Sequence, residues 1–195
     1  VAGAPARGFS PPLPPAMAYT IFADVLAGLQ HAHDLAGFDG TPLGVVHRDV
    51  SPHNVFVTYA GQVKVVDFGI AKALGRTTQT EDGTVKGKVS YMAPEQLTNK
   101  VDRRSDVFAV GVMLYEAASN KRLWGGIQDV EIVHRLSTGA YPMHPRDVNP
   151  EVPEEIDRIC AKALAFDPAE RYASAAAFQE ELEAYLRTTK NHVRA

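Results

Sequence analysis

Three short pieces of this chain carry side chains suited to handling a phosphoryl group: His47-Arg48-Asp49, Asn54, and Asp67-Phe68-Gly69. A carboxylate such as Asp49 can accept the proton of a hydroxyl presented to it. The amide oxygen of Asn54 and the carboxylate of Asp67 are hard ligands of the kind that hold magnesium against phosphate oxygens. Between them lie two β-branched runs, Val55-Phe56-Val57 and Val63-Lys64-Val65-Val66, joined by Tyr59-Ala60-Gly61-Gln62. That pattern predicts a small hairpin. A hairpin would fold Asn54, at its start, back beside Asp67, at its end.

The elements that must hold these residues are mostly helical. Met17, Ile21, Val25 and Leu29, widened by Phe22 and Leu26, predict a buried amphipathic helix from Ala16 to about Leu35. Val107 to Ala118 is apolar almost all round and reads as a central helix, and Val130, Ile132, Val133 and Leu136 read as a lesser surface helix. Ile156, Ile159, Cys160, Ala163 and Leu164 form a further stripe, and Ser174 is placed to cap a last helix with Phe178, Leu182, Tyr185 and Leu186 inward. Residues 1–15 hold five prolines and are expected to be a loop or linker, with a polyproline ligand as the other reading. Residues 191–195 are expected to be a tail.

Composition narrows the class. The 195 residues are 45% hydrophobic and 22% charged, which fits a globular protein with a real core. The net charge of −3 offers no general basic face for nucleic acid. A single cysteine, Cys160, excludes an internal disulfide and points to a reducing, cytoplasmic setting, where it is expected to be an inert core thiol. No apolar run reaches the roughly 20 residues of a membrane span. The first residue is valine, so a fragment of a longer coding sequence is expected.

With the elements in place, the motifs resemble those of the eukaryotic-like serine/threonine protein kinases in a bacterial form. The catalytic loop (47–54, HRDVSPHN), the DFG at 67, MAPEQ closing an activation segment (67–95), DVFAVGVMLYE and DPAERY occur in the family's order. The fold this implies is mainly α: the C-terminal lobe of a kinase domain over residues 16–190, with a β-hairpin at the catalytic site and the N-lobe missing.

The resemblance implies ATP and Mg²⁺ as cofactors and proteins as substrates. It makes Asp49 the catalytic base, Asn54 and Asp67 the magnesium ligands, and Phe56 the floor of the adenine site. His47 and Phe68 would pack as part of an internal spine, Asp106 would cap the HRD turn, and Glu95 would pair with Arg171. Arg48 would receive an activation-loop phosphate, with Thr77, Thr78, Thr80 and Thr84 as candidates. Tyr91, Met92 and Trp124 read as packing residues, and His31 and His33 as packing rather than metal-binding.

Two departures from the family pattern matter. Ser51 stands where the family carries lysine, and Lys88 stands where it carries threonine. Either the ammonium has been exchanged between facing positions, with Lys88 reaching Asp49 and the Ser51 hydroxyl taking the threonine's place, or the site is impaired. No glycine-rich phosphate loop, VAIK-type lysine or helix glutamate precedes Ala16, so the chain alone is expected to turn over little without an upstream N-lobe. An exposed apolar patch around the cleft is expected for the same reason. A non-catalytic kinase-like scaffold and a small-molecule phosphotransferase are the competing readings, the second weakened by the segment Met92 to Glu95.

Overall fold

The computed structural model describes residues 13–68 and 89–192. Among them are five α-helices: α1 Pro15–His33, α2 Arg104–Ser119, α3 Asp129–Thr138, α4 Glu154–Ala163 and α5 Ala175–His192. Strands β1 Val55–Val57 and β2 Val63–Val65 pair antiparallel, with Val55 opposite Val65 and Val57 opposite Val63. Tyr59 to Gly61 form the turn, Gly61 takes φ 78°, and the Thr58 amide donates to the Gln62 carbonyl at 2.8 Å.

Helix α2 is the axis of the molecule. Every residue from Ser105 to Tyr115 is buried, so it is covered on all sides, as its unbroken apolar run predicts. At Gly111 the reason for glycine is contact: a Cβ there would lie 2.8 Å from that of Ala163, so α2 and α4 close together because a side chain is missing. Helix α1 packs against α2, α5 and strand β2.

The start and face of α1 differ from the expectation. The helix takes in Pro15, which costs nothing where the N–H has no intrahelical partner. Met17 is 53% exposed, while Tyr19, Phe22, Ala23, Val25, Leu26 and Leu29 are buried. A four-residue step drifts around a helix of 3.6 residues per turn, so a stripe drawn through Met17 and Ile21 leaves the contact face toward the N-terminus. The burial of Leu29 continues one turn on to His33. Ser174 caps α5 as expected, its Oγ accepting from the Ala177 amide at 3.1 Å. No helix among the described residues is long and apolar enough to cross a membrane.

Candidate active site

The turn carrying His47, Arg48 and Asp49 is built around a buried carboxylate from α2. Asp106 Oδ2 accepts from the His47 amide at 2.8 Å, and its Oδ1 accepts from the Arg48 amide at 2.9 Å. Arg48 sits at φ 65°, a left-handed conformation that a non-glycine residue adopts only when its surroundings impose it. The two charge-assisted bonds to Asp106 are that imposition. His33, at the end of α1, donates from Nε2 to the same Oδ2 at 2.8 Å. The expectation for His33 was packing alone; its place one turn beyond Leu29, on the buried face, was the available signal of a polar partner inside.

His47 is wholly buried and works through both ring nitrogens. Its Nε2 lies 2.9 Å from the Val66 carbonyl, which can only accept, so that nitrogen carries the proton. Nδ1 then accepts the Asp49 amide at 3.2 Å. One neutral imidazole thus ties the backbone at Asp49 to the residue before Asp67. The ring also packs on Phe68, with centroids 4.5 Å apart and planes tilted by 41°.

Asn54 supplies the next link. Its Nδ2 donates to the Asp49 carbonyl at 2.8 Å, and its amide donates to the Ser51 carbonyl at 3.0 Å. Its carbonyl accepts from the Val66 amide at 2.9 Å, extending the hairpin ladder by one step. With Nδ2 committed to Asp49, Oδ1 is the atom of the Asn54 amide left to meet a cation. Asp67 follows at φ 57°, exposed. Backbone bonds therefore bring the turn at Asp49, the start of the hairpin at Asn54 and the approach to Asp67 together. Phe56, opposite Lys64 on the strand pair, is 55% exposed.

Such a linkage of catalytic-loop, asparagine and DFG positions invites comparison with known proteins. A family model for the protein kinase domain matches residues 9–182. The chain belongs to the protein kinase family. It is 48% identical over 176 residues to the tyrosine-protein kinase MasK of Myxococcus xanthus, covering 90% of this chain and 27% of MasK. It is 35% identical over 178 residues to the serine/threonine-protein kinase PrkC of Bacillus subtilis, covering 91% and 26%. With the serine/threonine-protein kinase PknL of Mycobacterium tuberculosis the identity is 34% over 174 residues, covering 89% and 41%. The chain thus spans well under half the length of these kinases.

Other side chains with defined partners surround the turn. Glu95 and Arg171 form a bidentate pair at 2.8 and 2.9 Å, with Ser105 Oγ donating to Glu95 Oε1 at 2.7 Å. Gln96, given no role in the sequence reading, accepts from the Ala93 amide at 2.8 Å through Oε1 and donates from Nε2 to the Arg48 carbonyl at 3.1 Å. A Gln three residues after the start of a helical turn is half of a capping box, so the first of these bonds was foreseeable. Tyr91 donates to Glu116 at 2.9 Å and Trp124 Nε1 to the Ser90 carbonyl at 2.8 Å, so both bond as well as pack. Arg48 Nε is buried and meets no hydrogen-bond partner among the described residues. Lys88, Thr77, Thr78, Thr80 and Thr84 lie outside the described residues.

Proposed function

We propose that this chain is the larger, C-terminal lobe of a serine/threonine protein kinase, transferring the γ-phosphate of ATP to protein hydroxyls. The observation that carries this reading is the neutral imidazole of His47, which bonds at once to the Asp49 amide and the Val66 carbonyl. It supports Asp49 as the base and Asn54 with Asp67 as ligands of one site. Among the described residues no three His, Cys, Asp or Glu side chains form a cluster able to hold a metal by themselves. That fits magnesium, which binds through one or two protein oxygens plus substrate phosphates. When bound, the ion would neutralise charge on the ATP phosphates.

In this reading Asp49 accepts the proton of the substrate hydroxyl, Asn54 and Asp67 would hold magnesium, and Phe56 would contact the adenine. The exposed ring of Phe56 supports a further lobe seated over it. Arg48, with its buried and unpartnered Nε, receives a phosphate from one of Thr77, Thr78, Thr80 or Thr84. The sequence leaves two options: the role of the family lysine passes to Lys88, with Ser51 in the threonine's place, or the site is impaired. The 195 residues turn over little by themselves, and a longer chain supplying a glycine-rich lobe is active.

A tyrosine-directed activity is the second reading, favoured by the name and 48% identity of MasK. The serine/threonine reading rests on PrkC and PknL, and on VSPH in the catalytic loop, which lacks the arginine and alanines of tyrosine kinases. Both are tested by phosphoamino-acid analysis of proteins labelled by a longer chain, beside its Asp49→Asn variant. Label on serine or threonine, lost in the variant, is the expected result. Label on phosphotyrosine establishes the second reading. No label with either protein, and an unimpaired cellular role for Asp49→Asn, establishes a non-catalytic scaffold.

A further inference from the structure

We propose that Gln96 is a positioning residue for Asp49, acting through the peptide that joins Arg48 to Asp49. This inference rests on the reading of Asp49 as the base and adds to it a residue that sequence motifs leave without a role.

The two ends of that single peptide plane are held by two side chains from different parts of the chain. Its carbonyl accepts from Gln96 Nε2 at 3.1 Å, and its N–H donates to His47 Nδ1 at 3.2 Å. The hold matters because rotating that plane changes ψ of Arg48 and φ of Asp49, in a turn where Arg48 already sits at φ 65°. Such a rotation would swing the Asp49 side chain away from its position. A clamp at both ends of the plane opposes it.

The chemistry requires an amide at position 96. Oε1 faces the Ala93 N–H, which can only donate, so the opposite orientation of the amide would set donor against donor. Nε2 is thereby directed at the Arg48 carbonyl. Glutamate would keep the acceptor and lose the donor, placing a carboxylate oxygen against a carbonyl oxygen. Methionine would fill the space and lose both bonds.

The anchor is itself rigid. Gln96 follows Glu95, whose carboxylate is fixed by Arg171 and by Ser105 Oγ. A displacement of Ala93 to Gln96 would strain or break the bond to the Arg48 carbonyl.

The test has two arms. Amide hydrogen exchange is followed in the 195-residue chain and in its Gln96→Glu and Gln96→Met variants, alongside the melting temperature. Expected is faster exchange confined to the catalytic turn, the Asp49 amide included, with melting within a few degrees of the parent. In the longer chain with Asp49-dependent activity, both variants are expected to lower kcat by about 10- to 100-fold, the scale of a small misplacement of a reacting group. KM for ATP is expected to hold within about twofold, since both bonds of the Gln96 amide go to backbone groups of Ala93 and Arg48 rather than to Asn54 or Asp67.

Unchanged exchange at Asp49 with unchanged kcat overturns the proposal. Exchange that rises across all helices together with a fallen melting temperature also overturns it, since Gln96 would then be a general stabiliser. If the longer chain labels no protein, the kinase reading fails and the exchange arm still decides the role of Gln96.

Discussion

Arg171 and Glu95 meet end-on inside the molecule, and every N–H of the guanidinium has an acceptor. Nη1 donates to Glu95 Oε1 at 2.8 Å and to the Arg104 carbonyl at 3.2 Å. Nη2 donates to Glu95 Oε2 at 2.9 Å and to the Phe166 carbonyl at 3.1 Å, and Nε to the Ala165 carbonyl at 2.7 Å. The Arg171 side chain is wholly buried, and that of Glu95 is 9% exposed. Three backbone carbonyls from the ends of two elements are thus gathered onto one cation, with the Phe108 ring beneath it at 4.8 Å.

Removing one member of this pair strands the other charge. Glu95→Ala and Arg171→Met are each expected to cost about 3–5 kcal/mol, the scale for an unpaired buried ion. The double variant is expected to cost clearly less than the sum, because its second step removes the stranded charge. Urea unfolding of the four proteins measures this, and additive costs would show the pair to be incidental.

Asp106 holds two amides of the turn from His47 to Asp49. It accepts from the His47 and Arg48 amides and from His33 Nε2. Asp106→Ala leaves buried donors unpaired, each worth about 1–3 kcal/mol, so a total loss of several kcal/mol is expected. His33→Phe gives up one bond and keeps most of the volume, so a smaller loss is expected. In Asp106→Ala the same His33 change is expected to cost much less, and a double-mutant cycle by denaturant unfolding reads the difference.

What the residues alone disclosed, and what they did not, follows from range. The hairpin was legible because alternation and a Gly-containing turn are local, and α2 because an unbroken apolar run admits only a central place. Family motifs singled out Asp49, Asn54, Asp67 and Asp106. The partners His33 and Gln96 were less legible. His33 meets Asp106 across 73 residues, and Gln96 meets the Arg48 carbonyl across 48. A bond to a backbone carbonyl, as with Gln96, also leaves no matching side chain to find. The face of α1 was misplaced at Met17 because α1 is covered from several sides, which blurs the stripe that periodicity is meant to reveal.

His47 is expected to separate structure from chemistry. His47→Phe keeps a ring against Phe68 but removes its bonds to the Asp49 amide and the Val66 carbonyl. A stability loss of about 1–3 kcal/mol is expected from two part-buried hydrogen bonds. In a longer, active chain the variant should lose kcat by about tenfold or more because Asp49 and Asp67 lose a common support. An equal kcat in a folded His47→Phe protein would remove that support from the mechanism.

The tyrosines set the alkaline limit of the fold. Burial is the first cause raising the phenols of Tyr19, Tyr91, Tyr115, Tyr141, Tyr172 and Tyr185 above the usual value, with the Glu116 carboxylate adding to it at Tyr91. The folded state therefore holds these protons more tightly than the unfolded chain, whose phenols ionise near pH 10. The stability they contribute is complete below that pH and declines as pH rises toward the folded-state values, because the unfolded chain releases protons first. These six phenols are accordingly expected to ionise together with unfolding. Tyrosinate absorbance and helical circular dichroism, followed through one alkaline titration, should change over the same interval above pH 10. Stepwise ionisation of these side chains near pH 10, with the helical signal intact, would show that burial does not protect them.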